Sequence, residues 1–195
     1  MDLKYGISDS FTLDLTLVPD FGQTAFDEVR LNLGPFEQTF EENRAFFTEG
    51  VELFNKGEIF FSRRIGGPPS GSIEDLNVNE AITETPSNVN ILNAIKVSGR
   101  TKKGLGVGFL NSITERTYAT ITDTVSETIR KKMIEPITNY NVFVLDQVFN
   151  GNSSVSLINT NVLRDGSDFR DADVTTGVFR IADKENRFRS SERAI

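Results

Sequence analysis

The segment LKYGISDSFTLDLTL, residues 3–17, decides the fold class because apolar and polar residues alternate along it with a period of two. The apolar residues share one face, namely Leu3, Tyr5, Ile7, Phe11, Leu13, Leu15 and Leu17. The intervening residues share the other face, namely Lys4, Gly6, Thr12, Asp14 and Thr16. The polar tripeptide at 8–10 has the composition of a tight turn, so residues 3–18 are predicted to form a β-hairpin.

The same alternation continues through most of the chain. It recurs in EVRLNL, residues 28–33, and in later segments that are long for strands. These later segments are 92–101, 104–113, 116–125, 137–149, 153–164 and 172–183. Polar turns or loops are predicted between them, and residues 66–90, rich in Gly, Pro, Ser and Asn, are predicted to form a long exposed loop. The sequence therefore predicts a mainly antiparallel all-β fold, organised as one region over residues 1–195.

A phenylalanine-rich segment, residues 34–65, interrupts the strands. It includes FEENRAFFTEG, residues 40–50. Five of its apolar residues are spaced by three, four or seven, namely Phe36, Phe40, Phe47, Val51 and Phe54. This spacing predicts a short helical or irregular insertion around residues 35–56, broken near Gly50. Strand character returns in EIFFSRRI, residues 58–65. We expect the whole segment to fold inward against the strands like a plug, with its phenylalanines used for packing.

The composition excludes several classes of function. The chain of 195 residues has a net charge of −7 and contains neither cysteine nor histidine. Disulfides, thiolate nucleophiles, Cys/His metal sites and a Ser-His-Asp triad are therefore excluded. An acidic chain without a basic face is not expected to bind nucleic acid. Nothing in the spacing of the remaining residues predicts a cofactor or a metal ion.

Six charged residues near the phenylalanines are candidates for a site, namely Glu41, Glu42, Arg44, Glu49, Arg63 and Arg64. One hypothesis is a glycoside hydrolase, in which Glu42 and Glu49 would act as the two catalytic carboxylates. The other is structural, in which arginine–carboxylate pairs anchor the inward-folded segment to polar walls. No spacing singles out a catalytic pair, so the sequence favours ion pairing and predicts no catalytic residue.

Two architectures fit the long alternating strands. One is a soluble β-sandwich, which could bind carbohydrate, and the other is an outer-membrane β-barrel, whose tilted strands need about 9–11 residues to cross the bilayer. Strand length and the charged residues on one face favour the barrel, whereas the mixed faces of NVFVLDQVF, residues 141–149, favour the sandwich. The alternation alone leaves both open.

Four motifs together resemble the DUF5916 family of bacterial proteins. They are LKYGISDSFTLDLTLVPDFGQ (3–23), LNLGPFEQTFEENRAFFTEGVELF (31–54), FFSRRIGG (60–67) and ILNAIKVSGRTKKGLGVGFLNSIT (91–114), in that order. One departure is Ala45, where the family usually has a proline. Members typically join a domain similar to family 9 carbohydrate-binding modules to a C-terminal region believed to be an outer-membrane barrel.

The resemblance implies that the chain is part of that C-terminal region, in the bacterial outer membrane. Its implied partner is outer-membrane lipid, with glycan as a second candidate, and its implied role is structural or in transport, with a link to carbohydrate handling. The start MDLKYGISDSF lacks the features of a signal peptide, and RFRSSERAI ends without a closing element. We therefore expect the chain to be a piece of a longer protein.

Overall fold

The computed structural model describes residues 1–17, 42–182, 185 and 189–194. The strands in this part of the chain are β1 (Asp2–Ser8), β2 (Phe11–Leu17), β3 (Glu80–Glu84), β4 (Ile91–Arg100), β5 (Leu105–Thr114), β6 (Thr117–Asp123), β7 (Ile129–Glu135), β8 (Thr138–Phe149), β9 (Ser153–Arg164), β10 (Ala172–Ala182) and β11 (Arg189–Ala194). The helical elements are α1 (Ala45–Thr48) and two 3-10 turns, Lys56–Glu58 and Ser62–Arg64. The prediction of an all-β fold is therefore confirmed.

The strands form two antiparallel sheets. The larger has eight strands in the order β1-β2-β4-β5-β8-β9-β10-β11, and the smaller has the order β3-β6-β7. The predicted hairpin is β1-β2, in which Leu3 pairs with Leu15 and Tyr5 with Leu13. β5 pairs directly with β8, so β6 and β7 leave the large sheet as a hairpin and the chain then returns to it.

The large sheet has two chemically different faces, because side chains on a strand point alternately to opposite sides. The polar face carries Lys4, Asp14, Thr16, Lys96, Ser98, Arg100, Ser112, Asp146, Ser156 and Thr176. The apolar face carries Leu3, Tyr5, Leu13, Leu15, Ile95, Val97, Val107, Phe109, Phe143, Leu145, Val155, Leu157 and Phe179. The hydrophobic core nevertheless lies on the polar face.

Residues 42–67, called here the docked segment, supply half of that core. Phe47, Leu53, Phe54 and Ile65 pack against sheet residues that include Leu110, Val144 and Ile158. Phe54 is fully buried. At Gly108 of β5, an added Cβ would lie 3.1 Å from the Phe54 ring, and at Gly106 it would lie 2.9 Å from Leu53. Gly106 and Gly108 therefore leave the space in which the docked segment sits.

Some local predictions differ from the structure. Residues 58–65 were predicted to form a strand, but the segment turns through a 3-10 helix because Phe60 packs against the core instead of along a sheet. The predicted loop 66–90 contains β3. β3 pairs with β6, which is distant in sequence, so no local sequence pattern predicts this strand. The predicted strand EVRLNL, 28–33, lies outside the described residues.

The sequence predicts a loop at the polar run 127–132, but residues 129–132 belong to β7. Two of their cations are paired, Arg130 with Glu80 of β3 and Lys132 with Asp75. The charged C-terminus forms β11, which hydrogen-bonds to β10. None of the helices in the described part of the chain has the length and apolarity needed to span a membrane.

Replacing Gly108 with valine should destabilise the protein, because the new side chain must displace the Phe54 ring. Overpacking of this kind costs about 1–3 kcal/mol. The matched control is Gly177→Val in β10, where an added Cβ meets nothing within 4 Å. Denaturant unfolding of both variants would check this, and equal midpoints would contradict the packing described.

Candidate functional site: the charged face that holds residues 42–67

The docked segment is closed on itself by a clip between Glu42 and Arg44. The Glu42 carboxylate accepts hydrogen bonds from the Arg44 side chain, Nε at 2.8 Å and Nη2 at 2.6 Å, and from Ser62 Oγ at 2.7 Å. Arg44 also donates to the carbonyl oxygens of Ile65 at 2.6 Å and Ser62 at 2.8 Å. The clip therefore fixes the start of the segment to residues 62–65.

The clip is buried and electrostatically satisfied. Arg44 is 6 % exposed, and its guanidinium lies 4.3 Å from the centre of the Phe47 ring. Burial acts to raise the pKa of Glu42, but the hydrogen bonds from Arg44 and Ser62 outweigh it, so the pKa lies below its ordinary value of 4.5. Glu42 is therefore a fixed carboxylate at neutral pH.

A buried lysine of β4 holds the docked segment by its backbone. The Nζ of Lys96 donates to the carbonyl oxygens of Phe46 at 2.7 Å and Glu49 at 2.5 Å. The same group lies 3.3 Å from Asp14 on β2 and 4.7 Å from the centre of the Phe46 ring. Lys96 is 1 % exposed, so these groups replace water as the partners of its ammonium.

Asp146 of β8 is the second buried charge that faces the docked segment. It is fully buried and accepts from Lys56 Nζ at 2.5 Å, from Ser156 Oγ at 2.6 Å and from Arg100. Lys56 belongs to the docked segment, whereas Arg100 and Ser156 belong to the sheet. This carboxylate therefore joins the segment to three strands, β4, β8 and β9.

The structure brings together some of the predicted site residues and separates others. Glu42 and Arg44 form the clip, whereas Glu49 pairs with Lys4 of β1 at 2.7 Å in an exposed contact. The hydrogen bond from Lys4 lowers the pKa of Glu49. Arg63 and Arg64 lie in the 3-10 turn 62–64, and Glu41 lies outside the described residues.

The arrangement supports anchoring over acid–base chemistry. A general acid needs a carboxyl group with a raised pKa, and both Glu42 and Glu49 have lowered pKa values. The described residues contain no group of three or more Asp or Glu that could hold a metal ion. Asp146 was missed by the sequence analysis. It is the only acidic residue in the apolar strand NVFVLDQVF, and that contrast was the available signal.

These features define the chain as an antiparallel β-sheet protein whose own segment covers the charged face of the sheet. Comparison with protein families then identifies it: residues 1–194 match the model described as "Domain of unknown function (DUF5916)". The chain belongs to the DUF5916 family, which confirms the resemblance inferred from the sequence. Comparisons with curated proteins and with solved structures give no match.

Replacing Asp146 with asparagine should destabilise the protein by about 2 kcal/mol, because hydrogen bonds to a buried charged group are lost and two cations lose their partner. The control is Asp165→Asn, which breaks the exposed pair with Arg116 and should change stability by about 0.5 kcal/mol or less. Denaturant titration measures both. Equal losses would show that Asp146 does not anchor the segment.

The clip should make the stability of the protein depend on pH in the acidic range. The pKa of Glu42 is lowered on folding, so its contribution is fully present above the unfolded value of 4.5 and is lost as the pH falls through the lower folded pKa. The melting temperature of Glu42→Gln should therefore fall less between pH 6 and pH 3 (about the range of carboxylate titration) than that of the parent. Glu52→Gln, an exposed change on the same segment, should follow the parent, and the idea fails if Glu42→Gln does too.

Proposed function

We propose that this chain is part of an outer-membrane β-barrel, with the apolar face of the large sheet toward lipid and the docked segment on the lumen side. In this role it forms a wall of the barrel and narrows the interior, either as a structural component or in transport. The observation that carries the proposal is the slant of the boundary between apolar and polar residues on the apolar face.

The apolar face is extensive and open to solvent. Its large side chains keep 40 % of their surface exposed at Phe109 and Phe143, 48 % at Leu157 and 60 % at Tyr5. Contiguous apolar patches of this extent mark surfaces that contact a membrane or another protein. A soluble sandwich would instead bury this face beneath its second sheet.

The boundary of the apolar face crosses the strands obliquely. Residues that pair on neighbouring strands form rows that cross the sheet. In each successive row, the change from apolar residues to polar residues or glycine falls at a later strand than in the row before it. The changes fall at Ile95–Asn111 (β4 to β5), Phe143–Asn159 (β8 to β9), Leu157–Gly177 (β9 to β10) and Phe179–Glu192 (β10 to β11). The pattern has exceptions: Gly99 and Gln147 lie within the apolar side of the third and last rows, and Ala194 follows Gly177 in the third row.

The slant has the size expected for a membrane barrel. The residues of β5 in these four rows are Asn111, Phe109, Val107 and Leu105. The boundary therefore shifts by six residues along the strands over the width of four strands. At about 3.3 Å per residue and 4.8 Å per strand, this is a slant of about 45°. Barrel strands tilt by about 35–45° from the barrel axis. The edge of the lipid layer is perpendicular to that axis, so it would cross the rows of paired residues at this angle.

Strand length and the contents of the polar face also support the proposal. β4 and β5 have 10 residues each, β8 and β9 have 12, and β10 has 11. A tilted strand needs about 9–11 residues to cross the hydrocarbon layer. The buried charges Lys96 and Asp146 point away from the apolar face, into the side where a barrel can hold polar groups.

Carbohydrates are the first class of molecule to test for transport, since the resemblance to DUF5916 proteins implies a link to carbohydrate handling. The primary experiment asks where the protein resides. We expect the protein to fractionate with outer membranes, to fold only with detergent or lipid, and to migrate faster on a gel before heating than after. A folded, soluble protein in detergent-free buffer would contradict the proposal.

Two substitutions on β9 sharpen this test. Leu157→Arg places a cation within the apolar face and should reduce the stability of the inserted state by about 2–4 kcal/mol, the range for arginine near the bilayer midplane. Asn161→Arg lies on the same face four residues along the strand and should cost about 0–1 kcal/mol, as near the interface. Unfolding from vesicles measures both, and equal effects would contradict a lipid boundary between them.

A further inference from the structure

On one side, the apolar face is crossed by a polar margin in which five of the seven residues are asparagines. It consists of Asn111, Asn139, Asn141, Asn159, Asn161, Asp173 and Thr175, all on the same face of β5, β8, β9 and β10. Asn111 Nδ2 donates to Asn141 Oδ1 at 2.8 Å, and Asn141 Nδ2 donates to Asn161 Oδ1 at 3.0 Å. The margin therefore crosses the sheet as a connected band.

The opposite ends of the same strands have no such margin. The first residue of β5 is Leu105, the last residue of β8 is Phe149, and Ile181 is the penultimate residue of β10. These three side chains are 38 %, 38 % and 54 % exposed, so apolar surface reaches the strand ends there. Apolar residues, Ile113 and Leu163, also lie beyond the margin on this face, so the two ends of the sheet differ in the connected asparagine band, which only one of them has.

The connections between strands show the same asymmetry. At the apolar ends, residues 9–10, 101–104, 150–152 and 183–188 join consecutive strands. At the margin ends, β2 stops at Leu17 and β4 starts at Ile91, residues 115–137 contain β6 and β7, and residues 165–171 join β9 to β10. In outer-membrane barrels the turns that face the periplasm are short and the connections that face outward are long.

We propose that the polar margin lies in the lipid headgroup layer on the outer side of the membrane, and that β3, β6 and β7 lie outside the cell. This inference rests on the proposed function. Carboxamides both donate and accept hydrogen bonds, so the margin matches hydroxyl-bearing headgroups, whereas the same groups would be costly to bury in hydrocarbon. No lysine or arginine belongs to the margin, which favours hydroxyl groups over bare phosphate as partners.

Single cysteines test the orientation, since the chain has no cysteine of its own. Val78→Cys and Ser126→Cys report on the margin side, and Asp9→Cys and Lys102→Cys report on the turns at the other side; all four positions are exposed. A membrane-impermeant maleimide should label the first two in intact cells. It should label Asp9→Cys and Lys102→Cys only after the outer membrane is permeabilised.

The outcomes separate the two proposals. Labelling of Asp9→Cys and Lys102→Cys alone in intact cells reverses the orientation and overturns this inference, while leaving a barrel possible. Labelling of both sides, or of neither side, in intact cells contradicts a transmembrane sheet and overturns the proposed function as well.

The depth of the margin is tested by fluorescence, because the chain has no tryptophan. In reconstituted vesicles, lipids brominated on the acyl chain should quench Leu157→Trp more strongly than Asn161→Trp. Equally strong quenching would place the margin in hydrocarbon and overturn its assignment to the headgroup layer, and equally weak quenching would contradict the lipid-facing position of Leu157 and with it the proposed function.

Discussion

The ammonium group of Lys96 enters the space between β4 and the docked segment, where it meets the carbonyl oxygens of Phe46 and Glu49. A buried cation has to find such partners, because transfer from water without them costs several kcal/mol. The backbone at residues 46–49 therefore adopts a conformation in which two carbonyl oxygens face the Lys96 ammonium. The seating of Phe47 and Phe54 in the core follows from that conformation.

Ionic and apolar contacts alternate along the docked segment. Lys96 holds residues 46–49, the glycines of β5 receive Leu53 and Phe54, and Asp146 holds Lys56. The buried charges of the sheet, Lys96 and Asp146, are each matched by a group on the docked segment, so the segment has one register on the sheet. A sheet face that carries charges thus acquires a hydrophobic core, although its opposite face is richer in apolar residues.

The sequence was sufficient for what depends on local periodicity. β4, β5, β8, β9 and β10 begin and end within about two residues of their predicted bounds, as the usual uncertainty in strand ends allows. β3 and β7 were not predictable in this way, since charges on Glu80 and Arg130 that indicate a loop are neutralised by pairing across the sheet. In the candidate site, the proximity of Glu42 and Arg44 in sequence made their pairing foreseeable. The partners of Asp146 come from residues 56, 100 and 156, and no local pattern connects these positions.

β6 and β7 leave the large sheet after Thr114 and the chain returns at Thr138, and these two residues pair with each other. The large sheet consequently contains no gap where the hairpin departs, and its register does not depend on the length of the excursion. The hairpin has its own buried residues, Ala119, Ile121 and Ile134. The connection between β5 and β8 can therefore change in length without any change in the register of these two strands, which leaves one end of the molecule open to variation.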